Sequence, residues 1–320
     1  MKSPMKTLCL VLSGLLLAGL AVSKASASDM RPAHPEALVD AQWMQEHIQD
    51  AGVVVLDASD VQDDTYVPKT VKGAVCMPYR DLRQDSGLMK GISYGLEKKE
   101  FDPSSLEDMF QQAGVDSDAT VVLVAQYRVD DAAMVFWALK WLGHKDVRLL
   151  PVNYLQALPN DMLTADIEHW SDSKAQGSFQ VQADWSWYAT KKDVLQAMHS
   201  SSSVLWDVRP KAYFQGHKTK TIRGGTLATA KNWPFANIWT GQSMSKVDLR
   251  CAQSKLSDMF PCSTQKDLTV ISFCNSGHSA GAGFFAWQCG YDWALCDASW
   301  NVMAYDGSLP VKNLNLYVKP

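Results

Sequence analysis

Leu268-Thr269-Val270-Ile271-Ser272-Phe273, followed by Cys274-Asn275-Ser276-Gly277-His278-Ser279 and the apolar run from Ala280 to Gln288, decides the fold. The first six residues are a short, nearly continuous apolar stretch rich in β-branched side chains, which reads as a strand buried on both faces. The run after the small polar loop has helical length. Cys274 therefore stands where a strand ends and a helix begins, the edge at which open α/β sheets bind ligands. Free backbone N–H groups and the helix dipole stabilise an anion there. For a thiol that anion is the thiolate, so the position favours a nucleophilic sulfur at neutral pH. Gly277 lets the loop bend so that successive amides turn toward one atom. The competing reading is a buried, inert cysteine, a common fate for this residue type.

Working outward, the same order of elements occurs twice. In the first half a helical pattern at Leu38 to Trp43 precedes Val53-Val54-Val55-Leu56-Asp57. Val71-Lys72-Gly73-Ala74, a strand from Thr120 to Ala125, a helix from Ala132 to Leu142, Gly143 and a strand from Val147 to Leu150 follow. The second half has a helix after Thr190, then Val204-Leu205-Trp206-Asp207, Ile222-Arg223-Gly224-Gly225 and the strand ending at Phe273. A helix from Ser279 to Cys289, Gly290 and Trp293 to Cys296 complete it. Asp57 recurs as Asp207, Gly73 as Gly224 and Gly143 as Gly290, each about 150 residues on, which is an internal repeat. Short apolar strands alternating with helices predict parallel sheets layered by helices. Ile167 to Gly177 is polar and aperiodic and reads as the connection between halves.

At the amino end, Lys2 and Lys6 precede an apolar stretch from Leu8 to Val22 and then Ala25-Ser26-Ala27, a small-x-small cleavage pattern. The stretch is short for a membrane span, so residues 1–27 are expected to be a cleaved signal peptide and the protein periplasmic or secreted. The remaining chain has room for two domains. A net charge of -4 leaves no basic surplus for nucleic acid or an anionic membrane. Of the seven cysteines, only Cys9 precedes the cleavage point, and the others contain no C-x-x-C, which excludes zinc-ribbon, thioredoxin-like and c-type haem readings. Oxidising surroundings permit disulfides. Cys251 and Cys262 either close a short loop or stay unpaired; both options stand.

The order Val204-Leu205-Trp206-Asp207-Val208-Arg209, Tyr213, Gly216-His217, Ile222-Arg223-Gly224-Gly225 and then the cysteine loop resembles the rhodanese family. The first half resembles the same domain, through Leu56-Asp57-Ala58, Gly73-Ala74-Val75 and the helix end from Trp137 to Gly143. The resemblance implies an α/β fold of two tandem rhodanese-like domains, each a parallel β-sheet with helices on both faces. Residues 28–165 would form the first domain, 166–180 the linker and 181–320 the second. It also implies a sulfurtransferase of the thiosulfate or mercaptopyruvate type, in which Cys274 carries sulfur as a persulfide. The donor would be a small molecule such as thiosulfate or polysulfide, and the acceptor cyanide, a thiol or a protein. The amides of Asn275, Ser276, Gly277, His278 and Ser279 would hold the charge, with no metal or organic cofactor. The first half has no cysteine at the matching positions, Leu123 to Tyr127, and Cys76 reads as a packed strand residue. That half would be a silent partner shaping the cleft.

The loop departs from many thiosulfate-using relatives in carrying no lysine or arginine, which leaves thiosulfate turnover in doubt. Arg209 and Arg223, at strand ends on the expected active edge, could supply anion-binding charge from outside it. His278 could act through its ring at the site mouth or merely present its N–H; Ser279 could bind sulfur or cap the helix; Trp300 could line the pocket or fill the core. Gly277-His278-Ser279-Ala280-Gly281 matches a hydrolase nucleophile elbow, but no histidine follows it as that chemistry requires. A phosphatase loop would need an arginine where Ala280 and Gly281 stand, and Cys274 with His278 is a thin basis for a metal site. The alternative from another class is a non-enzymatic sulfur or selenium carrier that uses the same cysteine loop.

Overall fold

The computed structural model describes residues 32–59, 69–84, 103–126, 128–238, 249–260 and 267–316. The expected signal peptide and the Cys251–Cys262 pairing lie outside what is described. Five parallel strands form the first sheet: β1 (Val53–Asp57), β2 (Val75–Cys76), β3 (Thr120–Val124), β4 (Val147–Leu150) and β5 (Glu168–His169), in the order β4-β3-β1-β2-β5. The second sheet contains β6 (Ser203–Asp207), β7 (Lys231–Asn232), β8 (Thr269–Phe273) and β9 (Asp292–Leu295), also parallel, in the order β7-β6-β8-β9. The main helices are α1 (Ala41–His47), α2 (Glu107–Gln112), α3 (Val129–Trp141), α4 (Lys191–Ala197), α5 (Leu249–Met259), α6 (Gly283–Gln288) and α7 (Ser299–Met303). None of the described helices is long and apolar enough to cross a membrane.

The duplication holds in register. Asp57 pairs with Val124 in the first sheet, and Asp207 pairs with Phe273 in the second. Ala125 thus occupies the place of Cys274. Both helices that follow these strands end on a left-handed glycine, Gly143 (φ 95°) and Gly290 (φ 91°). Beyond each glycine the next N–H folds back onto the helix, His144 to the Leu139 carbonyl at 2.8 Å and Tyr291 to the Ala286 carbonyl at 3.1 Å.

Helix α3 explains why the halves are welded. Every residue of it except Lys140 is buried. A helix apolar all round needs cover on every side. One side lies on the first sheet, and the other meets the second half, where Phe136 packs edge-on to Phe284 at 4.9 Å and the Trp137 indole N–H donates to the Trp187 carbonyl at 2.7 Å. Residues 31–320 accordingly group as one unit rather than two.

The polar connection is pinned to the first half rather than hanging free. Glu168 and His169 extend the first sheet beside Val75 and Cys76. Further along, the Gly177 N–H donates to the Gln111 carbonyl at 2.7 Å, and the Gln182 and Asp184 N–H groups take the last carbonyls of α3, Leu142 at 2.9 Å and Trp141 at 2.7 Å. Its polarity reflects backbone and side-chain bonding on the surface, not slack. Gly143 lies beneath this strap, where an added Cβ would come within 2.3 Å of the Gln182 carbonyl oxygen. Gly143→Ala should therefore lower stability by more than the ~1 kcal/mol of an ordinary left-handed glycine, seen as an earlier denaturant midpoint with an unchanged slope.

Candidate active site

Cys274 follows the last residue of β8 and is 5% exposed. Its backbone is tied at both groups: the N–H donates to Ser299 Oγ at 3.1 Å, and the carbonyl accepts from the Trp300 N–H at 3.0 Å. The Asn275 carbonyl accepts from the Asn301 N–H at 2.7 Å. The start of α7 therefore grips the first two residues of the loop. Gly277 then turns the chain through φ 90°, and its N–H donates to Cys274 Sγ at 3.1 Å. An amide aimed at sulfur favours the anionic form that burial alone would oppose.

Of the other expected loop residues, Ser276 is exposed, while Asn275, His278 and Ser279 are half-buried. The helix predicted from Ser279 begins differently. A 3-10 turn, His278–Ala282, leads into α6, and Gly277 takes the N-cap place with no side-chain cap. Ser279 is thus inside the first turn and does not cap it. Trp300 is 2% exposed and donates its indole N–H to the Arg223 carbonyl at 2.9 Å, a core position.

Both arginines expected near an anion are committed elsewhere, and this corrects that reading. Arg209 is 2% exposed; its Nη2 donates to Asp207 Oδ2 and to the Gly225 carbonyl, each at 2.6 Å, and its guanidinium stacks 4.7 Å from the Trp300 ring centre. Arg223 donates to the Met303 carbonyl at 2.7 Å, the Ala304 carbonyl at 2.6 Å and the Asp306 carbonyl, closing the end of α7 where the helix dipole is negative. A strand-end arginine looks the same in sequence whether it binds a ligand or its own fold.

Five residues at the site were not expected. Ser299 has φ 50° without being glycine, is fully buried, and also donates its hydroxyl to the Cys296 carbonyl at 2.9 Å. The other four come from the first half. His278 Nε2 lies 2.6 Å from Asp131 Oδ1 and 3.7 Å from Asp130 Oδ2, and the Tyr79 ring stacks on the imidazole at 3.8 Å and 4°. Arg128 bonds Asp130 at 2.5 Å. Burial pushes the Asp131 carboxyl above the usual carboxylate range, with the His278 bond opposing it. The available signal was the repeat itself, since Arg128 to Asp131 stand at the positions of Gly277 to Ala280. Asp130, Asp131 and His278 bring ligand-type atoms within 4.8 Å of one another, yet Arg128 already neutralises Asp130, so the set is an ion-pair network rather than a metal cage.

Two of the remaining described thiols are unsuited to chemistry. Burial pushes Cys289 and Cys296 up to about 12, so both stay protonated, and Cys76 is half-buried in β2.

Two substitutions check these assignments. Arg209→Met should destabilise the fold by about 3–5 kcal/mol in equilibrium denaturation, because it strands the buried Asp207 carboxylate. Ser299→Ala should cost about 1–3 kcal/mol by leaving the buried Cys274 N–H unpaired.

Residues 40–152 match the rhodanese-like domain. Across 295 residues the chain is 26% identical to the sulfur carrier protein TtuD of Thermus thermophilus, covering 86% of this chain and 93% of that one. It is 24% identical to the 3-mercaptopyruvate sulfurtransferase of Escherichia coli K12, covering 84% and 92%. The crystal structure of SseA from Escherichia coli superposes with a TM-score of 0.64 at 21% identity over 82% of this chain and 98% of that one. Residues 40–152 thus form a rhodanese-like domain, and the second sheet in the same register, with relatives aligned along nearly their whole length, gives the chain the fold of two tandem rhodanese-like domains.

Proposed function

We propose that the protein transfers sulfane sulfur through Cys274. The observation that carries this is the Gly277 amide 3.1 Å from the sulfur at the carboxyl edge of a parallel sheet. With thiosulfate as donor, the Cys274 thiolate attacks the outer sulfur, the S–S bond breaks and sulfite leaves with its electron pair. Cyanide or a thiolate then attacks the terminal sulfur of the persulfide, and the Cys274 thiolate is regenerated. Electrons and atoms balance without metal or organic cofactor. The loop amide supports the negative charge whether it resides on the thiolate or on the persulfide.

A sulfur carrier is the second reading, and a specific observation favours it. The loop holds no cation, and Arg209 and Arg223 are both bound within the domain, so nothing among these residues is free to neutralise a sulfonate. A relative named as a sulfur carrier protein is consistent with that use. Residues 1–27, as a cleaved signal peptide, would place either activity in the periplasm or outside the cell.

Purified protein should form thiocyanate from thiosulfate and cyanide, and Cys274→Ser should form none. A carrier would show no turnover but would keep one added sulfur mass on the Cys274 peptide after exposure to thiosulfate or polysulfide. Neither turnover nor adduct would end the proposal.

A further inference from the structure

We infer that Asp131, a residue of the half without a nucleophile, is a positioning residue for the chemistry of Cys274, acting through the ring of His278. The inference rests on the sulfur-transfer reading and adds to it a duty for the first half beyond shaping a cleft.

The amide that faces the sulfur belongs to Gly277, whose φ of 90° and missing Cβ leave that turn the softest point of the loop. The very next residue, His278, is clamped by the other half. Asp131 Oδ1 meets Nε2 at 2.6 Å, and Tyr79 lies flat on the ring at 3.8 Å. The backbone beyond is seated as well: an added Cβ on Gly281 would stand 3.3 Å from the Ala133 Cβ and 3.3 Å from the Asp130 carbonyl oxygen. One end of the loop is thus fixed by α7 of its own half and the other by α3 of its partner half. Between those anchors lies the Gly277 amide.

A purely structural role would not call for these groups. Two adjacent carboxylates are buried at the start of α3, at 1% and 4% exposure, where charge is costly unless paired. Arg128 neutralises Asp130, while the nearest partner of Asp131 is His278, with the Arg128 Nε 3.9 Å away. Because burial raises the Asp131 carboxyl, its contribution to stability is full when protonated and is lost as pH rises through its folded value. Burying this carboxyl is thus a cost that an apolar or amide side chain at the same place would not carry. A residue kept at such a cost beside the reacting loop is a functional candidate.

The test uses the full mature chain and three readouts: steady-state sulfur transfer, the pH midpoint of Cys274 alkylation followed on its own peptide by mass spectrometry, and thermal unfolding. Asp131→Ala should lower kcat at least about tenfold with KM within about twofold, the pattern of a misplaced reacting group. It should also move the alkylation midpoint up by about one pH unit as the amide swings off the sulfur. Loss of a nearby negative charge alone would move it down, so the sign separates the two causes. Asp131→Asn keeps an acceptor for Nε2–H; it should restore both readouts and unfold no earlier than the unmodified protein at pH 7. If Asp131→Ala does not fold, His278→Phe, which keeps the stack on Tyr79 but loses the bond, should show the same two losses. Unchanged kcat and midpoint in the alanine variant, or equal impairment in the asparagine variant, would overturn the inference. Alkylation does not require sulfur transfer, so absent turnover in the unmodified protein would count against that reading alone.

Discussion

A helix with no solvent-facing side is the constraint on which the rest of this molecule depends. Only Lys140 of the thirteen residues of α3 escapes burial. Each large side chain so covered contributes about 1.5–3 kcal/mol that would be lost on separating the halves. Phe136 and Trp137 face aromatic residues of the second half, so the two sheets cannot part without exposing them. The first turn of α3 is carried along with this packing and comes to rest against the turn that follows Cys274. The position of the sulfur loop is therefore decided by apolar packing one helix away from it.

Polar chemistry is then fitted into what packing leaves. Each half ends its central strand on a buried aspartate whose carboxylate takes the N–H two residues later, Ser59 to Asp57 at 2.9 Å and Arg209 to Asp207 at 3.0 Å. The second oxygen is used differently. In the first half it accepts from the Gln126 amide at 2.7 Å, and in the second from the Arg209 guanidinium and the Thr226 hydroxyl. A buried charge of this kind must be met by donors, and the two halves meet it with different side chains at one shared backbone geometry. The conserved element of the design is the strand end, while the partners vary.

Much of this was legible in the sequence. Strands β1, β3, β4 and β8 fall within a residue or two of the predicted bounds, because continuous apolar runs between turn residues admit little else. Gly143 and Gly290 marked helix ends for a stereochemical reason, and both adopt the left-handed turn. Contacts between the halves were not legible, since periodicity reports that a face is buried and not what buries it. Arg209, Arg223 and Ser299 show the same limit. Their chemical types suit a ligand, and only coordinates reveal that the two guanidinium groups are already bonded and that Ser299 holds the Cys274 amide. The start of the helix after Cys274 also differed, because a 3-10 turn leaves no periodic trace over five residues.

The repeat has a consequence for how a half without a nucleophile still matters. Ala125 stands in register with Cys274, and Gln126 beside it turns its amide to the Asp57 carboxylate, so this loop is occupied with its own support. Its helix nevertheless begins at the same edge as the helix of the second half, with N–H groups and acidic side chains in the first turn. Packing the two repeats on each other brings one such helix start against the other. Asp131 then meets His278 because they occupy neighbouring positions in copies of a single motif. An inactive copy placed this way can hold the active one in register without contributing any reacting atom, since what it supplies is a fixed surface with one well-placed acceptor.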